Sequence, residues 1–206
     1  MGKILSVQVG LPRTVTTTGQ PVETAIYKEP ISKRVAVGRL GLAGDGQADL
    51  KHHGGENQAV YAFAAEHYPH WRAMGYKDLA WGQFGENITT DGLDESQVRF
   101  GDRYRVGSTL LEAYGPRIPC SKLGLRMGSP RALKDFIKLA RPGIYYRVLE
   151  EGDIQTGDTF SLLQQAKDSP SIHEVAACRH DPEKKDRERL LAFSGLPQEW
   201  RDLFNS

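Results

Sequence analysis

Apolar and polar positions alternate with a period of two through most of the first 165 residues, in runs short enough to be strands. The runs are Ile4–Val9, Glu23–Lys28, Arg34–Val37, Ala59–Phe63, Glu86–Thr89, Arg103–Val106, Thr109–Tyr114, Ile144–Glu150 and Thr159–Leu163. Turn chemistry separates them at Gly41–Gly46, Asp91-Gly92, Gly101-Asp102, Gly107-Ser108 and Glu151-Gly152-Asp153. Many short strands at this spacing predict a closed or nearly closed barrel. Two helices interrupt it. Ala64–Met74 contains Pro69, which confines or kinks it, and Arg131–Ala140 enters at Pro130 and stops at Pro142-Gly143. No GxGxxG follows a strand, and strands and helices do not alternate regularly, which argues against doubly wound and (β/α)8 folds. The predicted class is mainly β with α, an α+β barrel with peripheral helices.

After Gln165 the strand pattern stops. Ser171-Ile172-His173-Glu174 is a capping box that opens a helix. Pro182 can open a second, carrying the charged run Glu183–Arg189 before Leu190, Leu191 and Phe193, with Gly195 ending it. Pro197–Phe204 gives a third. Residues 1–165 are thus expected to form the barrel and 166–206 a three-helix unit. That unit is below the roughly 40 residues at which a core stands alone, so it should dock on the barrel or on a second copy in a homodimer.

Composition narrows the function classes. The 206 residues carry 27 basic and 26 acidic side chains, a net charge of +1, so no whole-chain field attracts nucleic acid or anionic lipid. The longest apolar run, Ala59–Ala65, falls far short of the roughly 18 residues of a membrane span. The two cysteines, Cys120 and Cys178, make no disulfide framework and suit a reducing cytoplasm.

Cys120 carries the strongest chemical signal. It follows the strand Thr109–Tyr114 in a loop stiffened by Pro116 and Pro119, between Arg117 and Lys122. Nearby positive charge favours the thiolate, the form that attacks electrophiles or binds metal. Cys178, beside Ala176 and Ala177 on a helix, reads as core. The segment 44–55 is rich in glycine and polar groups, including Asp45, Lys51, His52, His53, Gly54 and Gly55; it suits either a solvent loop or close backbone approach to a phosphate. In Phe84-Gly85-Glu86-Asn87-Ile88, strand alternation sends Glu86 and Asn87 to opposite faces, so at most one readily faces a shared site. His67-x-x-His70 has Pro69 between its histidines and no accompanying CxxC or HExxH, which argues against zinc. Tyr61, Phe63, Tyr68 and Trp71 read as core rather than as a nucleobase platform.

GLAGDGQAD at 41–49, HGG at 53–55, AVYAFAAEHYPHW at 59–71, FGENITTDGL at 84–93, FGD at 100–102 and PRIPCSKL at 116–123 together resemble the MOSC domain family. That family is named for the C-terminal domain of molybdenum cofactor sulfurase. The likeness spans most of the chain and is to the YiiM-like branch, whose members add a three-helix C-terminal unit. One departure is local: after HGG, family members often have Pro-Asp and a basic residue, where this chain has Glu56-Asn57-Gln58.

The resemblance implies a barrel holding a molybdenum–pyranopterin cofactor, with Cys120 as protein ligand to the molybdenum. Arg117, Lys122, Lys51 and His53, with the Gly54 backbone, are then candidates for its anionic parts. Asp45, Glu86 and Asn87 are candidates for pterin N–H groups or for orienting substrate. The implied activity is reduction of N-hydroxylated compounds, such as N-hydroxylated purines, to amines. No flavin, haem or iron–sulfur motif is visible, so a flavoprotein reductase is the implied electron donor. The competing reading is a sulfur-carrier or cofactor-binding module with a persulfide on Cys120, since some MOSC domains are joined to a pyridoxal-phosphate desulfurase. Direct nucleic-acid binding is a third, opposed by the balanced charge.

Overall fold

The computed structural model describes residues 2–17, 20–49, 54–180 and 186–205. In chain order the strands are β1 (Gly2–Val9), β2 (Arg13–Thr17), β3 (Gln20–Thr24), β4 (Glu29–Ile31), β5 (Val35–Gly38), β6 (Gly41–Leu42), β7 (Val60–Ala64), β8 (Ile88–Asp91), β9 (Arg103–Val106), β10 (Thr109–Pro116), β11 (Ile144–Glu150), β12 (Gly152–Ile154) and β13 (Thr159–Gln164). The helices are α1 (Tyr68–Ala73), α2 (Ser121–Arg126), α3 (Ala132–Leu139), α4 (Ile172–His180), α5 (Arg187–Ala192) and α6 (Gln198–Asn205).

Strands β13-β9-β10-β11-β7-β8-β1 form one sheet that closes through β1 and β13, giving the expected barrel with seven strands. β4 continues along the far end of β1. Every pairing in the barrel is antiparallel except β7 with β8. A parallel pair needs a long crossover, and this one carries α1 and the loop to Gly85 outside the barrel.

The interior is filled by alternate residues of each strand, among them Ile4, Val60, Ala62, Ile88, Val106, Leu111, Tyr146 and Phe160. A second core lies outside β7, where Tyr61 and Phe63 meet Tyr68, Trp71, Phe84, Leu123 and Phe136. β7 is therefore buried on both faces, which is why its sequence is an unbroken apolar run rather than an alternation. Burying each of these large side chains contributes about 1.5–3 kcal/mol. Tyr61, Phe63, Tyr68 and Trp71 are core, as is Cys178.

Several local expectations change. Glu23–Lys28 is not one strand: β3 ends at Thr24, and residues 25–28 have no ladder partner, with Lys28 N–H donating to the Ile26 carbonyl at 3.1 Å. Thr24, Ile26 and Lys28 are buried and Ala25 and Tyr27 half-buried, so the period-two pattern is real although no strand lies alongside. β2 and β3 form a separate hairpin instead. Ala64 stays in β7, residues 65–67 form a 3-10 turn, and Pro69 falls in the first turn of α1, where its missing N–H costs no helical bond. Gly152-Asp153, expected as part of a turn, belongs to β12, and α2 is an additional short helix.

The capping box forms as expected. Ser171 N–H donates to Glu174 at 2.7 Å, and Glu174 N–H donates to the Ser171 hydroxyl at 3.1 Å. The helix start at Pro182 lies outside the described residues; the next described helix is α5, followed by α6 behind Pro197. The tail docks on the barrel of its own chain: Ile172, Val175, Cys178, Leu190, Leu196, Trp200 and Phe204 join the barrel's core cluster. Among the described residues no helix is long and apolar enough to cross a membrane.

Candidate functional site

β10 carries the chain out of the barrel wall to Pro116, and α2 begins at Ser121. Cys120 occupies the junction in an extended conformation, partly exposed. Two cavities meet there and share Asp49, Gln58, Cys120, Lys122 and Tyr145. The first is a smaller slot of 90 Å³ of mixed lining, which includes Lys28, Asn87, Arg117 and residues Gly46 to Asp49. The second is wider, 690 Å³, and mainly apolar, walled by Tyr114, Pro116, Ile118 and Pro119 from the barrel side and by Trp200 and Leu203 of α6. That volume lies within the roughly 300–1,000 Å³ of small-molecule sites.

Glycine shapes the slot at two points. Gly54 has φ +89°, and a Cβ there would stand 3.0 Å from Gln47. Gly85 has φ +75°, and a Cβ there would stand 2.9 Å from Ile26. Both positions combine a left-handed backbone with close approach, a need that glycine meets without strain.

The cations are arranged unequally. Arg117 is only 8% exposed. Its guanidinium lies over the rings of Tyr61 at 4.9 Å and Phe136 at 5.9 Å, and it donates to the Phe84 carbonyl. Among the described residues no carboxylate forms an ion pair with it. A guanidinium cannot shed its proton in a protein, so a positive charge is held at the floor of the slot. Burial raises the pKa values of Tyr61 and Tyr145, against the pull of Arg117, and both hydroxyls stay neutral. Lys122, by contrast, is loosely paired with Asp49 at 3.7 Å and half-buried.

Asp45 supports the site from behind. It is ion-paired with Lys28, accepts from Gly10 N–H at 2.8 Å and from Asn87 Nδ2 at 2.8 Å. Asn87 Oδ1 in turn accepts from Tyr61 N–H at 3.1 Å. Asn87 is thus locked with one face on the slot. Burial lowers the pKa of Lys28, opposed chiefly by Asp45.

Lys28 is a slot residue that sequence reasoning missed. Its signal was present: it sits at an inward position of the run beginning at Glu23, where an exposed lysine would not be expected.

Glu86 is not brought into the cleft. It is fully buried and faces the crossover. Its Oε1 accepts from the Tyr68 hydroxyl, from Gly82 N–H at 2.8 Å and from the Thr89 hydroxyl at 3.1 Å, while Oε2 accepts from Phe84 N–H at 3.0 Å. The opposite-face argument for Glu86 and Asn87 holds, and Asn87 is the one that faces the site. Lys51 and His53 lie outside the described residues. Glu56-Asn57-Gln58 forms a 3-10 turn whose Asn57 and Gln58 line the wide cavity.

His67 and Glu95 form a separate buried pair, with Nε2 2.8 Å from Oε1, and Glu95 also accepts from Gly143 N–H at 2.7 Å. Among the described residues no cluster of three His, Cys, Asp or Glu side chains is placed to hold a metal ion.

Comparison with known proteins follows the same geometry. Residues 49–161, which include β7 through β12, the first half of β13 and Cys120, match the family model described as MOSC domain. The chain is 36% identical to the uncharacterized protein YflK of Bacillus subtilis (strain 168), covering 98% of this chain and 92% of that one. A protein of Gibberella moniliformis (strain M3125 / FGSC 7600) named "Reductase" is 38% identical over 80% of this chain but only 30% of its own length. The crystal structure of YiiM from Geobacillus stearothermophilus superposes with a TM-score of 0.81 at 30% identity, covering all of this chain and 98% of the other.

Proposed function

Because the chain belongs to the MOSC domain family, in its YiiM-like branch, we propose that it binds a molybdenum–pyranopterin cofactor at Cys120 and reduces N-hydroxylated compounds to amines. The observation that carries the reading is the partly exposed Cys120 thiol at the meeting point of a cationic slot and a wide apolar chamber. The donor set fits the group. A soft sulfur suits a molybdenum already bound by the dithiolene sulfurs of its pterin. Arg117 and Lys122 suit the anionic parts, with Lys51 and His53 as further candidates from the adjoining loop. Gly54 lets the backbone approach, and Asn87, held by Asp45 and Tyr61 N–H, forms a fixed part of the slot wall.

When bound, the molybdenum supplies the two-electron reduction that cleaves the N–O bond. The overall change is balanced by two electrons and two protons, giving amine and water. The electrons come from a separate flavoprotein reductase. The chain's own part is orientation and electrostatics. Cys120 would anchor the group, Arg117 would hold charge for its anionic part, and the apolar chamber would receive the organic part of the substrate. Likeness to a protein named "Reductase" agrees with an oxidoreductase.

The test is the molybdenum and pterin content of the protein purified from a cofactor-producing host, beside its Cys120→Ala variant. Near one molybdenum per wild-type chain, lost with turnover in the variant, supports the reading. Metal-free protein from that host carrying a persulfide on Cys120 favours the sulfur-carrier alternative.

A further inference from the structure

Cys120 and the tail both line the wide chamber, the tail through Glu199, Trp200 and Leu203 of α6, beside Tyr114 of β10. Its apolar lining includes Pro116, Ile118, Pro119 and Tyr145. A molecule that fills this chamber beside Cys120 therefore also meets α6.

The polar chemistry beside α6 is specific. The Tyr114 hydroxyl accepts from Asn57 Nδ2 at 2.9 Å. Glu199 acts on the same hydroxyl: burial first, and then the charge and hydrogen bonding of the Glu199 carboxylate, raise the Tyr114 pKa. The other charged groups nearby are engaged elsewhere. Arg147 packs against the Tyr114 ring at 5.6 Å but is held by Glu112 at 2.8 Å, and it does not line the chamber. Asp49 and Lys122 pair with one another. Among the described lining residues, Glu199 is thus the charge that α6 contributes, and an ionised carboxylate only accepts hydrogen bonds.

We infer that Glu199 is a specificity-determining residue, selecting substrates whose end opposite the N-hydroxy group carries a cation or N–H donors and rejecting those that carry an anion. This rests on the proposal that the chamber beside Cys120 is the substrate site. A carboxylate at a largely apolar wall attracts a donor-bearing edge and repels a carboxylate or phosphate, with the effect screened by salt because Glu199 itself is exposed. The three-helix tail is then not only a structural addition. It supplies the residue that reads the substrate's far end.

The test uses the holoprotein and three matched probes: N-hydroxybenzamidine, its 4-aminomethyl derivative and its 4-carboxylate. Dissociation constants are measured without an electron donor, so no turnover is needed, and KM is measured separately with one. In the wild type the aminomethyl compound should bind at least about tenfold more tightly than the carboxylate. Glu199→Gln should shrink that ratio below about threefold, and Glu199→Lys should reverse it. Absence of charge preference in the wild type, or a preference unchanged in both variants, overturns the inference, as does failure of all three probes to bind. Charge-dependent binding that Glu199 controls, without turnover of any probe, instead overturns the reductase reading and leaves the pocket assignment standing.

Discussion

The indole of Trp200 lies against the bare Cα of Gly115: a Cβ at that position would stand 2.8 Å from Cζ2 of the ring and 3.1 Å from Cζ of Phe100. Gly115 is in β10, five residues before Cys120, and Trp200 is in the C-terminal helix α6. The absence of a side chain on one therefore lets the other seat the tail on the barrel and form a wall of the chamber. Gly115→Ala must push the indole outward, an overpacking that costs about 1–3 kcal/mol. The expected outcome is a lower thermal midpoint with a changed near-ultraviolet circular dichroism signal, at unchanged far-ultraviolet signal. An unchanged midpoint would show that the tail does not depend on this contact.

Arg117 is expected to matter for cofactor retention far more than for folding. Arg117→Met keeps an unbranched chain beside Tyr61 but removes a buried charge with no carboxylate partner among the described residues. The lost hydrogen bond to the Phe84 carbonyl costs about 1 kcal/mol, partly offset by relief of charge burial. Molybdenum content should fall at least about tenfold, as expected when a charge-assisted contact worth more than 1.4 kcal/mol is lost. Arg117→Lys should not restore it, because an ammonium lacks the planar face and the fork of donors. Full occupancy in Arg117→Met would remove Arg117 from the cofactor contacts.

Glu86 makes the opposite prediction. Both oxygens accept from protein donors, three on Oε1 and one on Oε2. Glu86→Gln necessarily turns an amide N–H₂ toward some of those donors, leaving buried groups unsatisfied. The expected cost is about 2–4 kcal/mol, read in chemical denaturation. Turnover per bound molybdenum should be unchanged. A stable Glu86→Gln with altered turnover would return Glu86 to the active site.

These contrasts show what was legible in the chain. The barrel could be read because strand burial is periodic, and Cys120 because a proline-stiffened cationic loop after a strand is an unusual setting for a thiol. Asn87 and Glu86 could be separated by parity alone. The partner each would find could not be read, because Tyr68 and Asp45 approach from crossover and loop segments whose paths depend on the whole fold. Lys28 was hidden for a related reason. Its run from Glu23 read as a strand, and only the absence of a neighbouring ladder leaves that segment free to line a slot. Trp200 and Gly115 are far apart in sequence, and neither alone announces a wall shared by tail and barrel.

The capping box that starts the tail gives a pH dependence with a definite sign. Burial works to raise the pKa of Glu174, but Ser171 N–H, Arg189 and the Ser171 hydroxyl outweigh it, and the net shift is downward. A carboxyl lowered in the folded state adds stability that is fully present above its unfolded value, about 4.3, and is lost as pH falls through the lower folded value. Between β10 and β11 the interior is packed by apolar side chains such as Leu111, Tyr146 and Val148, so α4 should loosen before those strands do. Hydrogen-exchange protection factors for residues 172–180 should therefore drop on going from pH 5 to pH 3 more steeply than those of β10 and β11. Glu174→Gln keeps an acceptor for Ser171 N–H but cannot ionise, so it should flatten that slope and lower protection at pH 7 by about 0.5–1 kcal/mol. Parallel slopes for α4 and the barrel, in wild type and variant alike, would show that the tail is held by its buried apolar residues alone.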